Sequence, residues 1–319
     1  MIRRREFIAG LGGAAAWPLY ASAQRPAIPF IGYISPGPPG PNESAEFRRR
    51  LKEAGYDEGR NVAIAFRWGN NLDALAADLV RMQVAVIVTL GGDATFAAKA
   101  ATSTIPIVFV TNADPVSYGF ATSLSRPGGN MTGAALLTTA LVGKHLDLLR
   151  EMVPRATTFA YLTVPGSGAE ETTRDIAAAA RAMNRDLAIA EARNASDIES
   201  AFATLVQRGN GALIVSPYQL FGTNMNRILG LVARHNIPAI YFNPAWVRRG
   251  GLMSYGAKAG TEGKIVVDYV VRILQGAKPA NLPVQQPTEF DLVINLKTAK
   301  TLGLTVPPTL YALATEVIE

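Results

Sequence analysis

Two apolar segments with the same pattern constrain the fold of this chain more than any other feature. Residues 104–112 (TIPIVFVTN) and residues 236–243 (NIPAIYFN) each join an Ile-Pro pair to a short apolar run and a closing asparagine. One helix earlier, residues 84–93 and residues 211–218 each contain another apolar run that ends in a polar loop. Short apolar runs that alternate with helical segments are typical of parallel sheets. The unit of strand, helix and strand therefore occurs twice, which predicts two similar α/β lobes.

The predicted fold class is α/β, with two doubly wound parallel-sheet lobes joined by a hinge. Lobe one is expected to contain residues 27–135 and 256–287, and lobe two residues 136–255 and 288–319. A segment rich in glycine and proline at 127–133 (PGGNMTG) is the predicted first crossover between them. In sheets of this kind ligands bind at the carboxyl ends of the strands, so the expected binding site is a cleft between the lobes.

Two local patterns predict where regular structure begins and ends. Ser196 is followed three residues later by Glu199, the spacing of a capping box in which each side chain bonds a free backbone N–H group. This pattern predicts a helix that starts at Ser196. Prolines at positions 307 and 308 are expected to end the regular structure of the chain.

Residues 1–23 fit an export signal that is removed from the mature chain. An arginine-rich start precedes an apolar stretch at 8–17, and Ala21-Ser22-Ala23 fits the cleavage rule, so Gln24 is the expected first mature residue. The apolar stretch is shorter than the roughly 20 residues that a membrane span needs. Residues 4–8 (RREFI) fit a twin-arginine signal, with an ordinary Sec signal as the open alternative. Either route predicts a periplasmic protein.

Composition excludes several classes of function. The chain has no cysteine, which excludes a disulfide framework, a thiolate metal site, a cysteine nucleophile and a lipid anchor on a cysteine. Net charge is +6, and it falls to +4 without the leader, which carries three arginines and one glutamate. The basic residues are scattered along helices rather than clustered with aromatic residues, so no nucleic-acid partner is expected. Neither a metal nor a cofactor is expected.

Three segments of the chain resemble one known family. They are residues 126–133 (RPGGNMTG), 251–256 (GLMSYG) and 290–300 (FDLVINLKTAK), and residues 4–23 are similar to its common leader. The family is the substrate-binding proteins of ABC transporters, in the branch that includes binders of tryptophan and other aromatic amino acids. The resemblance implies a type I periplasmic-binding fold with three crossovers between the lobes. It also implies a small-molecule solute, a membrane permease of an ABC importer as partner, and a monomer.

Two loops depart from the pattern of that family. Residues 163–166 (TVPG) stand where many members have an Asn-Pro-x-x-Pro turn, and residues 91–93 (GGD) stand where many have proline or alanine after the glycines. Both loops are expected to face the cleft, so the solute is expected to differ from that of better-known members.

The candidate ligand-binding residues follow the predicted strands of the two lobes. Short polar side chains and aromatic rings at these positions can hydrogen-bond and cover a solute, and N–H groups at the start of a helix favour an anion such as a carboxylate. The set is Ser35, Gly92, Asp93, Ala94, Thr111, Asn112, Asp114, Thr163, Ser216, Tyr218, Phe242, Asn243 and Tyr255. A carboxylate is placed on the N–H groups near Asp93 and on Thr111, and an ammonium group on Asp93 or Asp114.

Each of these candidates has a plainer structural interpretation. Asp93 fits a helix N-cap, and Asn112 and Asp114 fit a turn before Pro115. Tyr218 and Tyr255 fit packed rim residues as well as stacking partners for an aromatic solute.

No catalytic site is expected, because the chain lacks the patterns that enzymes of this size carry. Its two histidines, His145 and His235, have no neighbour at metal-ligand spacing and no serine elbow, and both are interpreted as surface or helix-end residues. Residues 91–93 lack the lysine of a phosphate-binding loop and the third glycine of a dinucleotide fingerprint. The favoured function is a receptor for a carboxylate-bearing solute, such as an amino acid or an aromatic carboxylate. The alternative is an exported enzyme or sensor partner on the same fold.

Overall fold

A computed structural model describes residues 28–38, 43–112, 114–136, 138–207, 209 and 211–319. The predicted leader, residues 1–23, lies outside these ranges. Within them, no helix is long and apolar enough to cross a membrane.

The first sheet, here called the sheet of lobe one, consists of five parallel strands in the order β2-β1-β3-β4-β5. These are β1 (Phe30–Ser35), β2 (Ala63–Trp68), β3 (Val86–Leu90), β4 (Ile107–Thr111) and β5 (Met131–Ala135). Helices α1 (Glu43–Glu53), α2 (Leu72–Arg81) and α3 (Gly92–Ala101) connect them. Apolar side chains alternate between two covered faces: Val108 packs with one helical layer and Phe109 with the other. Burial on both faces explains why these strands are almost continuously apolar.

The second sheet, that of lobe two, has seven strands in the order β12-β11-β10-β9-β8-β6-β7. They are β6 (Thr158–Thr163), β7 (Asp186–Glu191), β8 (Ala212–Val215), β9 (Ala239–Tyr241), β10 (Met253–Ala257), β11 (Phe290–Asn295) and β12 (Glu316–Ile318). The pairing of β10 with β11 is antiparallel and the others are parallel. The sheet is therefore mixed at one end, which the sequence pattern did not indicate.

Nine further helices complete the described chain. They are α4 (Thr138–Met152), α5 (Ser167–Ala182), α6 (Asp197–Gln207), α7 (Gln219–Thr223), α8 (Met225–Arg234), α9 (Pro244–Arg248), α10 (Thr261–Leu274), α11 (Leu296–Thr301) and α12 (Pro308–Leu313), with a 3-10 turn at Pro279–Asn281. All but one of these helices pack against elements of lobe two. The exception, α10, packs on β3, β4, β5 and α1 of lobe one.

The chain passes between the two lobes three times. It leaves lobe one after β5, returns after β10 to form α10, and leaves again after Gln285, whose backbone bonds that of β5. The predicted α/β fold with two sheet-based lobes is confirmed. The predicted crossover at 127–133 is wrong in detail, because Met131–Ala135 is a fifth strand and the first crossing follows it. At the second crossing, β10 continues to Ala257, just past the predicted return.

Two predicted helix boundaries are also wrong. Ser196 does not cap α6: its hydroxyl donates to Asn194 Oδ1, which also accepts the Asp197 N–H at 3.2 Å, so Asn194 supplies the local turn. The prolines at 307 and 308 begin α12 rather than ending regular structure, and β12 follows. Proline is well suited to the first turn of a helix, where its missing N–H costs nothing.

Candidate functional site

The carboxyl ends of the two sets of parallel strands meet across a cleft. Asn112, which follows β4, donates its amide to the carbonyl of Pro217, which follows β8, at 3.3 Å. The hydroxyl of Thr138, at the start of α4, donates to the carbonyl of Asn112 at 3.5 Å. Hydrogen bonds therefore join the lobes at the centre of the cleft, and this arrangement is a closed one.

Two cavities adjoin the contact between Asn112 and Pro217. One, called here the aromatic chamber, has a volume of about 310 Å³, and the other, the second chamber, about 280 Å³. The residues that line both are Asn112, Thr138, Pro217, Tyr218, Gln219 and Phe242. Each volume lies near the lower end of the range for small-molecule sites.

Six aromatic rings line the aromatic chamber, three from each lobe. Lobe one contributes Phe96, Tyr118 and Phe120, and lobe two contributes Tyr161, Tyr218 and Phe242. The three rings of lobe one form a cluster, in which the Phe96 centroid lies 4.7 Å from Phe120 and 5.5 Å from Tyr118 in edge-to-face geometry. Packed aromatic faces of this kind favour a flat apolar or aromatic ligand.

Two helices begin at the wall of the same chamber. Gly91 is the N-cap of α3 with a φ of 84°, and Gly166 is the N-cap of α5 with a φ of 134°. Both glycines line the chamber, and neither helix has a side-chain cap. The first N–H groups of a helix have no carbonyl partner within it and carry the positive end of its dipole. Both lobes thus present a helix end suited to a carboxylate.

Asp93 is the one charged side chain among the described residues that line the aromatic chamber. Burial raises the pKa of Tyr218 to about 12, and the neighbouring Tyr118 and Asp93 add to the effect. Burial also raises the pKa of Tyr161 well above its usual value. Both phenols therefore remain neutral at physiological pH, and each can donate a hydrogen bond to a ligand.

The structure brings eight of the thirteen sequence-predicted residues to the chambers. Gly92, Asp93 and Thr111 line the aromatic chamber, Ser216 and Asn243 line the second chamber, and Asn112, Tyr218 and Phe242 line both. Asp93 does not cap α3, because Gly91 holds that position. Asn243 caps α9 by accepting the Ala245 N–H at 2.8 Å.

The other five predicted residues line neither chamber. Ser35, Ala94 and Thr163 are fully buried in the packing of their own lobes. Asp114 is exposed, and its carboxylate accepts the Val116 N–H at 2.9 Å, which is the turn that Pro115 suggested. Tyr255 stacks on Phe290 with 5.8 Å between ring centroids.

The sequence pattern missed most of the aromatic wall. Phe96 stands three residues after Asp93 on α3, so helical spacing could have placed it beside that residue. Tyr118 and Phe120 lie in the long loop between β4 and β5, whose path no local pattern specifies.

His145 is buried, and its interpretation as a surface or helix-end residue was wrong. Its side chain is fully enclosed, and the ring lies 4.0 Å from that of Phe242. Its Nδ1 lies 2.8 Å from the carbonyl of Leu141, which can only accept, so Nδ1 carries a hydrogen. Burial lowers the pKa of His145 to about 4, which keeps the ring neutral at physiological pH. The other histidine, His235, is exposed at the end of α8.

The fold and the cleft together define a two-lobed solute-binding protein of the type I periplasmic-binding class. A family model described as ABC transporter substrate binding protein matches residues 43–318. The chain belongs to that family, as its sequence motifs predicted.

Named relatives agree with this assignment. The chain is 24% identical over 266 residues to a tyrosine-binding protein of Clostridioides difficile, covering 81% of this chain and 75% of the relative. A conserved domain protein of Vibrio cholerae has a solved structure with a TM-score of 0.83 and 26% identity, covering 91% of this chain and 99% of that one. An ABC domain of Streptococcus pneumoniae, solved in complex with L-Trp, has a TM-score of 0.81 at 22% identity, with the same coverage.

Proposed function

We propose that this protein is the extracytoplasmic receptor of an ABC importer and binds an aromatic amino acid in the aromatic chamber. The observation that carries the proposal is the chamber itself, in which six aromatic rings surround the uncapped starts of two helices. The named relatives, one a tyrosine-binding protein and one solved with L-Trp, support the same ligand class.

In this proposal the ligand carboxylate binds the N–H groups of Gly92, Asp93 and Ala94 at the start of α3. Ala94 contributes through its backbone although its side chain is buried. The Thr111 hydroxyl, at the end of β4, is a further donor on the same wall. No lysine or arginine is among the described residues that line the chamber, so the helix ends supply the positive potential.

The ligand ammonium group binds Asp93. It is the one carboxylate among the described lining residues of the chamber, whereas Asp114 is occupied by its own turn. Tyr218 and Phe242 cover the aromatic body from lobe two, and Phe96 and Tyr118 from lobe one.

The two lobes act as bodies that close over the ligand. We assign residues 28–136 and 258–287 to lobe one and residues 138–257 and 288–319 to lobe two, because Leu136 packs on the core of lobe one and β10 of the second sheet ends at Ala257. The three chain crossings form the hinge, and closure brings the two helix ends together around one carboxylate. The closed monomer then docks a membrane permease, and residues 1–23 direct export.

A thermal-shift screen of the mature chain tests this function. A ligand present at about 100 times its dissociation constant stabilises the fold by roughly 2.7 kcal/mol. For a chain of this length the melting temperature should rise by about 5 °C. L-Trp, L-Tyr and L-Phe should give this shift, and sugars and polyamines should not. A shift confined to sugars or polyamines would overturn the proposal.

Asp93→Asn tests the placement of the ammonium group. A hydrogen bond to a charged group contributes about 1.5–3 kcal/mol, so the affinity for L-Trp should fall by roughly tenfold or more. Indole-3-propionate, which has the carboxylate but no ammonium group, should bind wild type and variant alike. Asp114→Asn is the matched control and should leave both affinities unchanged. Isothermal titration calorimetry gives all of these constants, and an equal loss for both ligands would show that Asp93 does not bind the ammonium group.

A further inference from the structure

The second chamber shares six wall residues with the aromatic chamber, and its remaining lining residues have no part in the proposed function. None of the three aromatic rings that lobe one contributes to the aromatic chamber lines the second chamber. Lobe two contributes Ser216, Asn243 and Trp246, and lobe one contributes Leu136 and Glu262. The chamber is thus built from both lobes.

Ser216 is a buried polar group without a partner in this chamber. The residue is 2% exposed, and its Oγ lies near the Tyr161 hydroxyl but makes no hydrogen bond of normal length and angle among the described residues. A buried hydroxyl with no partner costs free energy, and such groups in native structures often mark a binding position. The hydroxyl can accept a hydrogen bond from a ligand that enters the chamber.

Glu262 gives the chamber a negative charge. It lies in the first turn of α10, is half-buried, and takes part in none of the salt bridges found in the described part of the chain. No lysine, arginine or histidine is among the described lining residues. Behind it, the Tyr33 hydroxyl donates to Glu43 at 3.0 Å, and after burial the charges of Glu43 and Glu262 raise the pKa of Tyr33. Glu43 and Glu262 therefore both lie near Tyr33, while the Arg50 guanidinium, which is paired with Glu46, lies against Gly260 and Gly263 of the same turn.

The remaining walls of the chamber are apolar and partly rigid. Leu141, Met225 and Phe242 line it together with Trp246. The Trp246 ring is fixed in place by stacking on Tyr241, with 4.6 Å between centroids and 11° between planes. Because the chamber has an acidic group on one side and a fixed apolar wall on the other, it favours an amphipathic ligand with a positively charged head group.

We propose that the second chamber binds a primary amine with an apolar body, as a separate ligand from the solute in the aromatic chamber. Its ammonium group is held by the Glu262 carboxylate and donates to Ser216 Oγ. Its apolar body lies against Trp246 and Met225. The charge of Glu262 disfavours a carboxylate-bearing ligand, since no described lining side chain carries a positive charge to offset it.

This second ligand also favours the closed form of the protein. Glu262 belongs to lobe one, whereas Ser216 and Trp246 belong to lobe two, so one bound amine contacts both lobes. The aromatic chamber is closed by the same contact between lobes. Each ligand therefore raises the affinity for the other, and by linkage the two effects are equal.

Calorimetric titration with tyramine and L-Phe tests the proposal. Tyramine should bind the mature chain with one site in addition to that for L-Phe, and it should bind more tightly when L-Phe is saturating. Glu262→Gln removes the charge at nearly constant shape, so the tyramine affinity should fall by about tenfold or more. The same variant should change the L-Phe affinity in the absence of tyramine by less than about twofold. Ser216→Ala should weaken tyramine binding more mildly, because it removes a neutral acceptor.

Three outcomes would overturn the proposal, and they differ from failure of the proposed function. The first is competition, in which L-Phe and tyramine exclude one another. The second is an unchanged tyramine affinity in Glu262→Gln. The third is no tyramine binding up to millimolar concentration. Binding of tyramine without binding of L-Phe would instead support the amine site in the second chamber and refute the assignment of the aromatic chamber.

Discussion

His145 is a buried titratable residue that packs directly against the wall of the binding cleft. Its ring packs at 4.0 Å on Phe242, which lines both chambers, and its Nδ1 bonds the helix that carries it. A charged imidazole at this fully buried position would lose its hydration without gaining a carboxylate partner. The protein is therefore built for the neutral form of this side chain.

The stability of the protein should fall in acid because of His145. In the unfolded chain its pKa is near 6.5, and in the folded protein burial lowers it to about 4. Between these values the unfolded chain binds a proton that the folded chain does not. The contribution is complete above pH 6.5 and is lost as pH falls towards 4, by about 2 kcal/mol between pH 7 and pH 4.5. Urea unfolding at a series of pH values measures it.

Two histidine variants separate this effect from the titration of carboxylates. His145→Gln should flatten the dependence of unfolding free energy on pH in this window, whatever its effect on absolute stability. His235→Gln, on the exposed residue, should retain the wild-type slope. Parallel curves for all three proteins would contradict the prediction. An NMR titration of the His145 ring protons would measure its pKa directly.

The residues of the site differ in how far the sequence could predict them. Asp93, Asn112 and Tyr218 follow strands, and parallel topology alone brings such positions to one edge. Ser35 and Thr163 also end strands, yet they are fully buried. Successive residues of a strand alternate between its faces, and the pattern does not specify which face the last residue takes. The sequence therefore predicted the positions of Asp93, Asn112 and Tyr218 at the cleft. It could not predict that the side chains of Ser35 and Thr163 point into the core.

At the scale of elements, long apolar runs were predicted well and short or glycine-containing elements were not. The apolar runs at 104–112 and 236–243 were predicted as strands and contain β4 and β9. The helices α7 and α9 have five residues each, too few to show a helical period. The strand β5 was missed because its Gly133 and the glycines before it are typical of loops.

Gly133 is required by the close approach of β5 to β4. A Cβ at this position would lie 2.0 Å from the carbonyl oxygen of Phe109, and the φ of 157° is rare for other residues. Gly133→Ala should therefore destabilise the fold by about 3 kcal/mol or more, since backbone must shift to admit the methyl group. Gly143→Ala on α4 is the control, because its Cβ would meet nothing within 4 Å. That variant should gain roughly 0.5–1 kcal/mol from helix propensity. Urea unfolding measures the free energy of unfolding of both variants, and equal values for Gly133→Ala and wild type would refute the role of Gly133.

At the scale of the whole molecule, repetition of one unit in the sequence was enough to predict two sheets and a cleft between them. The two Ile-Pro segments become β4 and β9, which lie in different sheets at equivalent places beside the cleft. The division of the cleft into two chambers could not be predicted. It depends on the contact between Asn112 and Pro217, which are 105 residues apart and meet only once both lobes are folded and closed.

The same contact makes the balance between open and closed forms testable. Asn112→Ala removes the amide that donates to Pro217 across the cleft, so the ligand-free protein should populate the open form more. Small-angle X-ray scattering should then give a larger radius of gyration for the variant than for wild type without ligand. Saturating L-Trp should bring both to the same compact value, because ligand contacts replace the lost bond. The affinity of the variant for L-Trp should fall in proportion to the fraction of ligand-free molecules that are closed.

Asn226→Ala is the matched control. Asn226 accepts a hydrogen bond from Arg249 within lobe two, so this variant should leave the scattering unchanged. Identical scattering of Asn112→Ala and wild type, with and without ligand, would show that this contact does not set the balance between the two forms.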